Sequence, residues 1–175
     1  TIDSVTQIVL GAAVGYAVSG HSLGKKSLVL GAIAGTIPDL DFLITLPSDD
    51  PFLYLRHHRG FSHSLLFSIL GPLMLYIGLH YSRWKQHAST LFWLFFWGIL
   101  THLLLDSFTG WGTQVFWPHP YRVAWNTLFI VDPFYTIPFL ICVLLAALSK
   151  APSFRKKSIA IGIIVSTLYI GWSVI

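Results

Sequence analysis

STLFWLFFWGILTHLLLDSF, Ser89 to Phe108, is the stretch that decides how this chain is read. It is almost unbroken in aromatic and aliphatic character, and its length is the roughly 20 residues a helix needs to cross a bilayer. Near its end stand His102 and Asp106, four apart and therefore on one helix face. An ionised Asp inside a membrane helix costs about 2.5–3.5 kcal/mol on insertion scales, so the pair needs compensation. A divalent cation would offset that cost directly; a plain His–Asp ion pair between helices would also serve.

The rest of the chain matches this stretch. Of 175 residues, 54% are hydrophobic, 15% aromatic and only 10% charged, against about 25% charged in soluble domains. So few charges cannot build a water-exposed surface, and an integral membrane protein follows. All seven acidic residues are Asp. A soluble helix surface would use Glu freely, because Glu favours helix and pairs with Lys one turn on. The net charge of +4 comes from short basic clusters between apolar runs. That points to anionic lipid headgroups as partner and away from nucleic acid. The single cysteine, Cys142, excludes an intrachain disulfide and a CxxC metal site. The start lacks a basic region and a small-residue cleavage site, so the first apolar segment is expected to stay in the mature protein.

Six apolar segments can be drawn: about Ser4–Ser19, Ser27 to Pro38, Ser62–Tyr81, Ser89–Phe108, Val131–Leu148 and Ser158–Ile175. The reading is an all-α polytopic transmembrane bundle of about six helices, forming one domain over residues 1–175. The last four segments meet or approach spanning length. The first two are short, and Pro38 and Asp39 interrupt the second; such features survive at membrane depth only inside protein or beside a wet cavity. They are expected to pack near a polar site through Gly11, Ala12, Gly15, Gly31, Ala34 and Gly35. The apolar ending LYIGWSVI suggests the N-terminal part of a longer chain.

Basic residues set the expected orientation. Lys25, Lys26, Arg83, Lys85, Lys150, Arg155, Lys156 and Lys157 occupy alternate loops, which should be cytoplasmic. Residues 39–61 and 109–130 then face the outer side of a bacterial or archaeal cytoplasmic membrane. Every polar motif lies there.

Three further clusters join His102 and Asp106. PDLD holds Asp39 and Asp41. One could cap a following helix, but two carboxylates so close repel unless a cation or arginines intervene. HHRGFSHS holds His57, His58, Arg59, Ser62, His63 and Ser64. An N-cap and interfacial residues account for a serine and an arginine, not for three histidines, which together with carboxylates make a metal site of the Zn, Mn or Fe type. Which of His57 and His58 points inward stays open. Asp132, in VDP, is the last. His21, His80 and His87 read as interfacial loop residues, and His119 faces the side of the motifs.

GTIPDLD, HHRGFSHS and HLLLDSFTGWGTQVFWP, in this order on short membrane helices, resemble the membrane-bound metal-dependent hydrolases, the YdjM-like family. Its PDxD motif falls on Asp39 and Asp41. Its HRGxTHS motif falls on His58 to Ser64, with Ser62 where Thr is commoner. Its HxxxD motif falls on His102 and Asp106, followed by Gly112 and Trp117-Pro118. The family often has a histidine where this chain has Gln7, which would then be a weaker ligand or hold a water. The resemblance covers most of the chain and implies a metal-dependent hydrolase in a membrane, with no substrate attached.

The expectation is therefore a membrane-embedded hydrolase with one or two divalent ions, zinc first, with Mn, Fe or Mg as alternatives. Asp39, Asp41, His58, His63, His102 and Asp106 are the candidate ligands. Asp132, a further ligand candidate beside His58, or an unligated one of Asp39 and Asp41 is the candidate base for water activated by the metal. Arg59 would hold an anionic group, with Arg56, Arg122, His119 and Gln7 toward substrate. Ser62 and Ser64 would support ligands, Ser62 being the candidate catalytic hydroxyl although no GxSxG elbow is present. A site at a membrane helix end suits a lipid-linked substrate, a phosphoester first and an ester or amide second. An ion or metal transporter is the alternative, since broken helices with intramembrane Asp and His also describe carriers.

Overall fold

The structure is a computed structural model that describes residues 4–41, 43 and 59–175. Among the described residues it is all-helical. The helices are α1 (Ser4–Leu23), α2 (Lys26–Thr36), α3 (Leu65–His80), α4 (Ala88–Ser107), α5 (Pro133–Leu148) and α6 (Pro152–Ser173). Short 3₁₀ turns occupy Ile37–Asp41, Phe61–His63 and Lys85–His87.

Sequence chemistry sets the helix ends. Ser64 caps α3 by accepting from Phe67 N at 3.1 Å, and Asp132 caps α5 with Pro133 in the first turn, the usual pairing of an N-cap with a following proline. Past Thr36, Pro38 cannot continue the α-helical ladder, and the chain tightens into the 3₁₀ turn that carries Asp39 and Asp41.

α1 is the hub and packs against α2, α4, α5 and α6. Its contact with α2 is backbone on backbone. A methyl group on Gly15 would stand 2.6 Å from Gly31 Cα and from Ser27 O, and one on Gly35 would stand 2.6 Å from Gln7 O. Larger residues would force the two helices apart. Gly98 brings α4 equally close, since a Cβ there would meet Ala34 Cβ at 2.7 Å. The core lies around α1 and includes Val9, Ala13, Leu105, Tyr135, Phe139 and Ile159.

Helix lengths differ from the expectation. α1 has 20 residues rather than being short, because Gly20 and His21 do not break it. α3 and α5 have 16 each, about 24 Å at 1.5 Å per residue, less than the roughly 30 Å of a hydrocarbon core. Among the described residues one helical span is long and apolar enough to cross a membrane, the 23 residues Lys85–Ser107, whose most apolar 18-residue window has a mean hydropathy of 1.7. Large apolar side chains nonetheless face outward on α3 and α5, among them Met74, Ile77, Phe134, Ile137 and Leu148.

Candidate metal centre

Three polar segments meet at one end of the bundle. The turn after α2 supplies Asp39, the 3₁₀ turn before α3 supplies His63, and the last turns of α4 supply His102 and Asp106. One ligand atom from each lies within 4.8 Å of all the others. His63 Nε2 is 3.5 Å from Asp39 Oδ1 and 3.4 Å from Asp106 Oδ2. His102 Nε2 is 3.5 Å from Asp39 Oδ1 and 3.6 Å from Asp106 Oδ2. The two Nε2 atoms are 3.1 Å apart.

The outer edges of both rings are committed, which fixes what the inner edges offer. His102 Nδ1 is 2.6 Å from Gly35 O. A carbonyl only accepts, so this nitrogen carries the proton and Nε2 keeps its lone pair. Ser62 Oγ donates to Asp41 Oδ2 at 3.1 Å and stands 3.0 Å from His63 Nδ1. The single hydroxyl proton goes to Asp41, so His63 Nδ1–H donates to the serine and its Nε2 also faces inward bare. Two imidazole lone pairs and two carboxylates thus converge, and Asp39 Oδ2 and Asp106 Oδ2 are buried without a hydrogen-bond donor.

The carboxylates are held in turn. Gln7 Nε2 donates to Asp106 Oδ1 at 2.8 Å, and Arg59 Nε lies 3.4 Å from Asp106 Oδ2. Arg59 is only 2% exposed. Its backbone takes the left-handed region at φ 61, which a non-glycine residue enters at a cost. There its N–H donates to Asp41 Oδ2 at 3.1 Å and its Nη1 donates to Thr109 Oγ1 at 3.0 Å and to Gly112 O at 3.3 Å. The loop after α4 is tied to the same segment through Gln114 N to Arg59 O and Leu65 N to Val115 O.

Charge decides what this group of side chains can hold. Among the described residues Asp39, Asp41 and Asp106 carry three negative charges and Arg59 one positive, which leaves two negative charges when both histidines are neutral, as ligands must be. Buried carboxylates in this excess are costly unless paired, and one divalent cation balances them. The distances agree: a tetrahedral ion with bonds of about 2.0–2.1 Å sets its ligands about 3.3–3.4 Å apart. The donor set of two imidazoles and two carboxylates fits such an ion.

A family model described as YdjM inner membrane protein matches residues 2–175. The chain belongs to the YdjM inner membrane protein family. Its relatives include the uncharacterized protein YfhP of Bacillus subtilis, 28% identical over 162 residues, covering 85% of this chain and 46% of YfhP. The inner membrane protein YbcI of Escherichia coli is 30% identical over 146 residues, covering 77% of this chain and 82% of YbcI. The chain thus spans about half the length of YfhP. No solved structure matches it significantly. Membership in the YdjM family supports the membrane location read from composition.

Within this YdjM-family chain the remaining site candidates fall into place by geometry. Asp41, read as a ligand, lies outside the group of four, with Oδ2 3.6 Å from His63 Nδ1, on the ring edge away from the other three ligands. Ser62 joins it there as an orienting hydroxyl. Ser64 is a helix cap. Asp132, read as a base, is engaged at a helix start: its Oδ1 accepts from Phe134 N and Tyr135 N, and Tyr169 Oη donates to both of its oxygens at 2.9 and 3.1 Å. Those contacts belong to the start of α5 and the end of α6. His119 is exposed and accepts from Tyr121 N at 3.2 Å. Arg122 is half-buried in the same loop. Gln7, read toward substrate, instead holds Asp106. His57, His58 and Arg56 lie outside the described residues. Gly35 O and Thr109 were missed; Thr109, three residues after Asp106, could have been found by spacing, whereas a backbone carbonyl leaves no mark in sequence.

Proposed function

We propose that the chain is a polytopic membrane hydrolase that holds one divalent cation on Asp39, His63, His102 and Asp106 and cleaves a lipid-linked substrate, a phosphoester first. Zinc is the first choice of ion, given two imidazole nitrogens and two carboxylate oxygens. The observation that carries the reading is the set of five ligand-atom separations, 3.1 to 3.6 Å, which brackets the edge of a tetrahedral site.

When bound, and with a position open to water beside or in place of the exposed Asp39 carboxylate, the ion would supply Lewis-acid chemistry and bring the pKa of that water to about 7. The chain's own groups keep the ligands oriented. Gly35 O and Ser62 hold the two imidazoles with Nε2 inward, Asp41 backs Ser62, and Gln7 and Arg59 fix Asp106. Asp39, whose side chain is 15% exposed while both histidines show none, marks the side from which substrate arrives. The outward apolar side chains of α3 and α5 support lipid-facing helices, since a patch of that extent is unusual on a soluble monomer. The basic loops at the opposite helix ends support an outer-facing site.

The test is direct. Purified protein should carry close to one metal ion per chain by elemental analysis, and a screen of lipid phosphoesters should show turnover that a chelator abolishes and that Asp39→Ala plus His102→Ala removes. Metal-free protein from metal-replete cells would refute the reading. So would cation flux in liposomes with no turnover of any lipid ester.

A further inference from the structure

At the other end of α1 lies a second feature that the metal centre does not use. Gly20 is 13 residues beyond Gln7, about 20 Å along the helix. Between this end of α1 and the start of α6 opens a cavity of about 800 Å³, large for a small-molecule site. Its floor is apolar, with Tyr16, Ile159 and Ile163 among the lining residues, and its rim carries His21, Arg155 and Lys156. Gly20 keeps the floor open, because a Cβ there would sit 3.0 Å from the Tyr16 ring.

The charge on this rim is one-sided. The described aspartates, Asp39, Asp41, Asp106 and Asp132, all belong to the opposite helix ends. Lys25, nearby, is already engaged, donating to Ala147 O at 2.6 Å. Arg155 is not fully engaged: Nη2 donates to Lys150 O at 3.2 Å, but Nε is shielded from solvent and has no hydrogen-bond partner. A shielded guanidinium donor with nothing to bind is costly.

We propose that this cleft binds a phospholipid with an anionic headgroup, its phosphate between Arg155 and Lys156 and an acyl chain along Ile159 and Ile163. An apolar floor under a cationic rim matches a lipid better than a free anion, which would leave the floor wet. It also matches a lipid better than a zwitterionic headgroup, whose ammonium group the rim repels. The inference uses only the membrane location and does not depend on the metal.

Native mass spectrometry of the detergent-solubilised chain, with phosphatidylglycerol and phosphatidylcholine supplied together, tests it. One phosphatidylglycerol per chain should be retained, about thirtyfold over phosphatidylcholine, as about 1 kcal/mol for each of the two basic residues at the headgroup implies. Arg155→Gln with Lys156→Gln should erase the preference. Ala17→Trp, which fills the cleft without touching its charge, should lower retention of both lipids. Should that variant fail to fold, the charge variant decides alone. Equal retention of the two lipids, an undiminished preference in the charge variant, or displacement of the lipid by millimolar inorganic phosphate would overturn the proposal.

Discussion

His63 and His102 point their Nε2 atoms at one another across 3.1 Å, and each ring is held there from behind. With Nδ1 of each ring committed to Gly35 O or Ser62, two unprotonated Nε2 atoms repel unless a cation or a shared proton lies between. His63→Ala and His102→Ala should therefore each cut bound metal from near one ion per chain to about a tenth or less, read by elemental analysis after buffer exchange. Retention of full metal by either variant would place the ion elsewhere.

Asp41 touches the converging ligands indirectly, through Ser62 and His63 and through the Arg59 backbone. Asp41→Ala should weaken metal binding by about 10–100-fold, while saturating metal restores full occupancy. A competition titration against a chelator, each point held until occupancy is constant, reads this. If Asp41→Ala behaves like His102→Ala, Asp41 is a ligand.

Removing the ion leaves two negative charges in excess in a buried place. Chelated protein should melt at lower temperature than loaded protein, and the gap should close on adding metal back. At metal 100-fold above Kd the stabilisation is about 2.7 kcal/mol. An unchanged melting curve would mean that the carboxylates are neutralised some other way.

Asp132 should matter for stability alone. Asp132→Ala removes the α5 cap and the acceptor of Tyr169, at a cost of about 0.5–2 kcal/mol for the cap, with metal content intact. Loss of hydrolysis in a folded, metal-loaded Asp132→Ala chain would return it to the chemistry.

The glycine contacts give a paired test. Gly15→Val would drive α1 from α2, costing at least about 1–3 kcal/mol and loosening metal retention, because Gln7 and Gly35 lie on the two separated helices. Gly78→Ala, in α3 with open space around the added methyl, should be neutral or stabilise by up to about 1 kcal/mol. Thermal melts of both variants separate close packing from helix propensity.

Much of this was legible in the residues. Continuous apolar runs mark the helices, and the polar motifs marked three of the segments that meet. PDLD does not reveal which carboxylate turns inward, because that depends on the 3₁₀ turn after Pro38. The left-handed backbone at Arg59, which buries its guanidinium against Asp106, leaves no sequence signature outside glycine. Asp132 was legible and overlooked: Asp before Pro at the head of an apolar run is a helix start. Helix lengths were blurred because Gly20 and His21 look like a break but stay helical.

Three of the four converging groups are sealed, and Asp39 alone touches the outside. An ion seated there could leave only by first letting go of that one carboxylate, so exchange would be slow. Slow exchange removes the advantage of metals that bind most tightly at equilibrium. The occupant would then record which ion was at hand while the helices were assembling, and copies matured in differently supplied cells would differ in content though identical in sequence.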